Sequence, residues 1–186
     1  LNPNNLHELK EATRVLEEEL KLAVRPQTYL LIDLGTGMIH IKGRGIRLHQ
    51  IPIVTWSAGP REALKGIHRL VARPPVVRRK IEPGAAAEQE PISVADMPTD
   101  YVLSFTPPLN VTVVPSVAND GIFRGAVLLG KVGWHKVKDW AAHLFTDQPA
   151  VSSSYLQLTL TADHAQSLAW SLVDGMAVVI RRTSDK

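Results

Sequence analysis

The chain has 186 residues, of which 45% are apolar and 21% are charged, so it can bury a core and fold as an ordinary domain. It contains no cysteine, which excludes disulfides, thiolate metal ligands and a thiol nucleophile. The formal net charge of +3 is only mildly basic, and the tight basic run is confined to residues 78–80. We therefore expect no nucleic-acid binding, which usually needs a larger basic cluster with aromatic neighbours.

Residues 5–24 have the periodicity of an amphipathic helix, with Glu and Lys between apolar positions. The apolar positions recur at three- and four-residue spacing: Leu6, Leu9, Leu16, Leu20 and Ala23. We expect either a helix that packs on the domain or a stalk that leads to a further N-terminal part. The chain begins at Leu1 and not at Met, which suggests a fragment or a processed product. The predicted organisation is an N-terminal helix or linker at residues 1–26 and one β-rich domain at residues 27–186.

After Pro26 the apolar period changes from that of a helix to that of strands. Strands are predicted at residues 29–34, 38–42 and 46–54, joined by glycine-containing turns as a β-meander. No helix follows these glycines, so a phosphate-binding loop is not predicted. Residues 57–100 are rich in proline and predict a long crossing with short strands at 67–71 and 76–81. Further strands are predicted at 101–105 and 110–114.

A strand at 121–130 and a helix at 133–145 follow in the prediction. On that helix His135, Asp139 and His143 lie on nearly one face. The two histidines are two turns apart, roughly 12 Å along the axis, which is too far for one metal ion. We therefore predict no metal site and no cofactor.

The last third of the chain alternates clearly between polar and apolar residues. Over residues 154–161, Tyr155, Gln157 and Thr159 share one face of a predicted strand, and three leucines share the other. A short helix is predicted at 162–173, capped by Thr161, and a closing strand at 176–180. No stretch of the chain approaches the roughly 20 apolar residues of a membrane span.

Residues 154–180 resemble the end of the catalytic domain of L,D-transpeptidases, an extracytoplasmic cell-wall enzyme family. In that family a Ser-His-Gly-Cys-type strand leads to a short helix bearing Ala and Leu, and a Gly-x-x-Val-x-Ile strand follows. Here the helix carries Ala165 and Leu168, and the closing strand is preceded by Gly175 and carries Val178 and Ile180. The opening meander is similar to the family's first strands at residues 29–34, 39–41, 45, 51–54 and 59. About half of the chain is covered by this likeness.

The resemblance also implies that the family's reaction is lost. In the ungapped alignment the nucleophilic cysteine falls on Gln157, the arginine after it on Thr159 and the histidine on Tyr155. Leu156 replaces a small glycine, and only Ser154 is retained. A glutamine amide cannot replace a thiolate as the nucleophile that attacks a peptide carbonyl. No catalytic residue is therefore assigned.

The fold class that the resemblance implies is mainly β (α+β), an L,D-transpeptidase-like sandwich or barrel of mixed sheets with short helices and an N-terminal helix. The implied function is a catalytically inactive module of the periplasm or cell envelope that binds peptidoglycan peptide or a protein partner. Its ligand groove would be lined by Ser154, Tyr155, Gln157 and Thr159. Two alternatives stay open: a hydrolase or transferase with relocated serine and histidine chemistry, and a purely structural domain of a larger exported protein.

Overall fold

The computed structural model describes residues 3–76, 92–116 and 154–182, and all of these belong to one compact unit. The elements predicted at residues 121–130 and 133–145, and nearly all of the strand predicted at 76–81, lie outside the described residues. The described elements are α1 (Pro3–Ala23), β1 (Thr28–Asp33), β2 (Met38–Gly43), β3 (Ile46–Pro52), β4 (Thr55–Ala58), β5 (Ile67–Leu70), β6 (Tyr101–Thr106), β7 (Leu109–Pro115), β8 (Ser154–Leu160), α2 (Ala162–Ser171) and β9 (Ala177–Arg181). Two 3-10 turns occupy Arg61–Leu64 and Val94–Asp96.

The strands form one mixed sheet, which has nine strands within the described ranges. Their order is β3-β2-β1-β9-β5-β6-β7-β8-β4. The pairs β1–β9 and β7–β8 are parallel, and the other neighbours are antiparallel. The predicted fold class, mainly β with a mixed sheet, short helices and an N-terminal helix, is confirmed.

The central strands β1 and β9 are buried on both faces of the sheet. Leu30, Ile32, Val178 and Ile180 point into the larger apolar core. The alternate residues of the same two strands, including Tyr29, point to the opposite face of the sheet and form a second, smaller core there. Continuous apolar runs are typical of strands that are covered on both sides, which explains why neither segment alternates.

The larger core is built around α2, on the inner face of the sheet. Helix α2 buries Ala165, Leu168 and Ala169 there, as its spacing predicts. The Tyr101 hydroxyl donates a buried hydrogen bond of 2.8 Å to the backbone oxygen of Ala165. The predicted cap is confirmed, because the Thr161 hydroxyl accepts a hydrogen bond from the backbone N–H of His164. Strand, cap and helix therefore form one continuous unit at the end of the chain.

The third predicted strand, at residues 46–54, is wrong in its length. The structure ends β3 at Pro52 and begins β4 at Thr55, and β4 pairs with β8 at the other end of the sheet order. Between them, the Ile53 N–H donates to the Gly37 oxygen and the Val54 N–H donates to the Thr159 oxygen. These two bonds join the chain to opposite ends of the sheet order. The sheet therefore curls around its inner core, and the two ends are only two residues apart along the chain.

Helix α1 packs on the outer face of the central strands through a mixed apolar and charged surface. Val15 and Leu22 are buried there with Tyr29. On the same face of α1, Arg14 donates hydrogen bonds to Glu11, to Glu18 (2.7 Å) and to the backbone oxygen of Ile180 (2.7 Å). A guanidinium with three acceptors loses little on partial burial, because each of its three nitrogens donates to at least one of them.

The face of α1 that the leucine spacing predicts for packing is not the face that packs. Leu6, Leu9, Leu16 and Leu20 are exposed, and Glu11 and Glu18 are buried in their place. Periodicity marks an apolar stripe, but the face that is covered is the one that carries Val15, Leu22 and the hydrogen bond from Arg14 to Ile180 of β9. The domain boundary at residue 26 stays a prediction. In the part of the chain that the structure describes, no helix is long and apolar enough to cross a membrane.

Candidate binding surface

Three polar residues of β8, Tyr155, Gln157 and Thr159, point away from the inner core, whereas Ser154 lies on the side of the strand that carries Leu156 and Leu158. Tyr155 and Gln157 are exposed and Thr159 is half-buried, while Leu156 and Leu158 are completely buried. Strand β8 is followed directly by the cap residue Thr161 and by α2. The predicted alternation therefore holds in the structure, since one face of the strand covers the core and the other faces outward.

Strands β4 and β7 extend this polar surface on both sides of β8. Residues that are paired across neighbouring strands point to the same face of a sheet. Strand β4 places Thr55 beside Thr159 and Ser57 beside Gln157, and strand β7 places Asn110 beside Tyr155 and Thr112 beside Gln157. We call this surface the polar face, and its members are Thr55, Ser57, Asn110, Thr112, Tyr155, Gln157 and Thr159.

The polar face offers hydrogen bonds but little acid–base chemistry. Its members carry hydroxyl and amide groups, and none of them is a carboxylate, a histidine, a lysine or an arginine. The backbone of β8 is paired on both sides, with β7 and with β4, so a ligand can reach only side chains of this strand. The arrangement can recognise a polar chain by hydrogen bonding and by contact with one aromatic ring.

The position of Tyr155 depends on residues that are distant from it in the sequence. The Gly59 N–H donates a 2.9 Å hydrogen bond to the Tyr155 backbone oxygen. Arg182 donates from Nη1 to the Gly59 oxygen (2.9 Å), and its Cζ lies 5.5 Å from the centroid of the Trp56 ring. A cation over an indole ring is a favourable pair. Only the alternation of residues 55–58 could have suggested a strand here, and nothing in the sequence relates Arg182 to it.

His68 and His164 lie in local structural contacts and not beside Ser154. Among the described residues, no histidine lies within hydrogen-bond distance of the Ser154 hydroxyl. His164 Nδ1 lies 2.8 Å from the Thr161 hydroxyl instead, where both groups belong to the helix cap. His68 is buried, and its Nδ1 lies 3.0 Å from the Pro107 backbone oxygen. Both contacts are structural, because each histidine is tied to a local fold element.

Two depressions of the surface lie away from the polar face. One, of about 280 Å³, lies on α1 between Leu6 and Glu17, and the other, of about 230 Å³, lies beside Trp170 and Met97. Within the described ranges, no group of three His, Asp or Glu side chains could hold a metal ion. The predicted helix with His135, Asp139 and His143 lies outside those ranges.

Comparisons with known proteins give distant likenesses to solved structures and to no protein family. No protein-family model matches this chain, and no curated protein matches it. Among solved structures, it is similar to an L,D-transpeptidase from Mycobacterium smegmatis, with 15% sequence identity and a TM-score of 0.38. The match covers 83% of this chain and 58% of that chain, so it spans less than two thirds of the other protein's length.

Proposed function

We propose that this chain is a catalytically silent, extracytoplasmic relative of the L,D-transpeptidases that binds a peptidoglycan stem peptide without cleaving it. The observation that carries the proposal is the outward position of Tyr155, Gln157 and Thr159 on one strand, with Thr55 and Ser57 beside them on β4 and Asn110 and Thr112 beside them on β7. This surface is the one at which the family resemblance expects the catalytic strand. It keeps the strand and the following helix, and it lacks the thiol.

The chemistry of the polar face suits a peptide ligand. A peptide presents alternating N–H and C=O groups, and the Gln157 amide can both donate and accept while the threonine and serine hydroxyls adapt to either role. The Tyr155 ring, half exposed and held by Gly59, supplies a flat apolar surface beside these groups. Binding without chemistry follows, because the face offers neither a thiolate nor an imidazole base.

A protein partner that presents an extended segment would use the same contacts. The stem peptide is the ligand we favour because the family resemblance concerns the strand that carries Tyr155 and Gln157. A protein segment bound in its place, or no ligand at all, are the other outcomes of the experiment below. The last of these corresponds to a purely structural domain.

The test is titration of the full chain with a synthetic peptidoglycan stem peptide. Binding is measured by calorimetry and by the chemical shifts of the backbone amides in NMR spectra. We expect saturable binding that Tyr155→Ala weakens about tenfold and Gln157→Ala about fivefold, as loss of a buried aromatic contact and of one or two hydrogen bonds. Gln50→Ala is the matched control, since Gln50 is an exposed glutamine on β3, at the other end of the sheet order. It should bind like the wild type.

The same samples test for catalysis. Mass spectrometry after prolonged incubation should recover the stem peptide intact, and a β-lactam that acylates thiols should leave the chain's mass unchanged. Turnover of the peptide would overturn the non-catalytic assignment. Absence of binding, or binding that is unaffected by both variants, would overturn the polar face as the ligand site.

A further inference from the structure

Helix α1 carries an apolar stripe that points away from its own sheet. Leu6, Leu9, Leu16 and Leu20 are 48–68% exposed, whereas Val15 and Leu22, about half a turn away around the helix, are buried. Isolated exposed leucines are ordinary, but four on one face of one helix form a contiguous patch. Thr13 lies in the same row between Leu9 and Leu16, and the depression of about 280 Å³ opens beside it.

The stripe has the spacing of a coiled-coil seam. Its positions alternate by three and four residues, with Leu6, Thr13 and Leu20 at one core position of the heptad and Leu9, Leu16 and Ala23 at the other. Such a seam is completed by a second helix with the same repeat. The side chains of the second helix enter the spaces between the side chains of the first. Within the described residues, the leucines of the seam have no such helix against them, since each is about half exposed or more.

We propose that the partner is a second copy of this chain, with the two α1 helices packed antiparallel. In that arrangement Thr13 lies opposite the partner's Leu16, and Leu9 lies opposite the partner's Leu20. Each small residue of the seam therefore faces a leucine, and the depression beside Thr13 receives the partner's leucine side chain. A parallel pair would instead place Thr13 against Thr13 and leave that layer poorly filled.

The charges that flank the seam are complementary in the antiparallel arrangement. Lys10 and Glu17 lie on the same side of the stripe, seven residues apart, and both are exposed. Antiparallel packing brings Lys10 beside the partner's Glu17, and the two-fold symmetry repeats this pair at the other end. In a parallel pair Glu17 would lie beside the partner's Ala12, so its charge would remain uncompensated.

The rest of the described unit leaves room for this contact. The sheet packs on the buried face of α1, through Val15, Leu22 and the Arg14 cluster, on the side opposite the stripe. Two copies joined along their stripes therefore place each sheet on the outside of its own helix. The polar face belongs to β4, β7 and β8 and not to the strands that α1 covers, so dimerisation leaves ligand binding at that face independent.

Sedimentation equilibrium of the full chain over a wide concentration range tests the proposal. We expect a species of twice the 20.4 kDa chain mass, and at least a tenfold weaker dimer for Leu9→Glu and Leu16→Glu. Leu48→Glu is the matched control, because Leu48 is 61% exposed on β3 and should not change the dimer constant. Circular dichroism confirms that each variant keeps its fold.

A charge exchange tests the antiparallel register. Lys10→Glu alone should weaken the dimer several-fold, because it places two carboxylates together, and adding Glu17→Lys should restore it. A chain that is monomeric at every concentration, or a dimer that the leucine variants do not weaken, would overturn the proposal. A monomer whose free energy of unfolding is lowered by the leucine variants would also overturn the proposal, because the stripe would then be covered within one chain. A dimer without rescue by the exchange would overturn the antiparallel register.

Discussion

Gly59 lies so close to the ring of Tyr155 that a Cβ at position 59 would stand 3.2 Å from Cδ1 and 3.3 Å from Cε1. The backbones of the two residues are joined as well, by the hydrogen bond from the Gly59 N–H to the Tyr155 oxygen. Gly59 does not have a left-handed backbone conformation, so its smallness matters here for space and not for φ. The aromatic end of the polar face therefore depends on a missing side chain in a neighbouring loop.

Gly59→Ala should displace the Tyr155 ring without unfolding the chain. The added methyl group is closer to the ring than ordinary contacts allow, but the ring is half exposed and can move outward. We expect shifted Tyr155 ring resonances in NMR spectra and stem-peptide affinity that is about three- to tenfold weaker. In a Tyr155→Ala background the same substitution should change affinity no further, as a double-mutant cycle would show. Equal losses in both backgrounds would contradict this account.

Arg14→Met should destabilise the fold much more than removal of an exposed ion pair. Arg14 pairs with Glu11 and Glu18, whose side chains are only 8% and 12% exposed, and without it both carboxylates remain partly buried and unpaired. We expect a loss of about 2–4 kcal/mol in the free energy of unfolding, measured by urea titration. Lys65→Met is the control, because the Lys65–Glu62 pair is largely exposed and should contribute below about 0.5 kcal/mol. Comparable losses would contradict the structural role of Arg14.

The Glu11 carboxyl should contribute to an acid-dependent loss of stability. Burial acts to raise its pKa, but the hydrogen bond and charge of Arg14, with the Arg182 N–H, outweigh burial and hold the pKa below its usual value of 4.5. A group whose pKa is lower in the folded state stabilises it fully above the unfolded pKa and loses this effect as pH falls through the folded pKa. We therefore expect the free energy of unfolding to fall below about pH 4.5, and to fall less steeply in Glu11→Gln. A slope unchanged by this substitution would exclude Glu11 as a source of the acid dependence.

Tyr101→Phe should destabilise the inner core through one lost hydrogen bond. The Tyr101 hydroxyl is buried and donates to the Ala165 oxygen, and burial also raises the pKa of this phenol. We expect a loss of about 1–2 kcal/mol and a melting temperature lower by roughly 2–8 °C. Tyr155→Phe is the matched control, because the Tyr155 side chain is half exposed and its hydroxyl should contribute little to stability. A drop of the same size in both variants would contradict the assignment.

Local patterns were sufficient for most of the described strands and for both helices. The alternation over residues 154–161 predicted which residues of β8 face outward, because the side-chain period of a strand is set by its backbone. Thr161 was predicted as a cap on the same local grounds, and the structure confirms it. The pair β3 and β4 could not be separated in this way, since the break at residues 53–54 is made by hydrogen bonds to Gly37 and Thr159, which are distant in sequence.

The sequence by itself determined that no thiol chemistry occurs and that Tyr155, Gln157 and Thr159 share a face, because composition and backbone period need no knowledge of neighbours. Only the tertiary structure decided what surrounds that face and which side of α1 is covered. Strand order brings Ser57 and Thr112 beside Gln157 from distant parts of the chain. The side of α1 that carries Val15, Leu22 and Arg14 packs on the central strands, where Arg14 donates to the Ile180 oxygen, and the leucines of the stripe stay outside. Both outcomes depend on contacts between residues far apart in sequence, which periodicity does not encode.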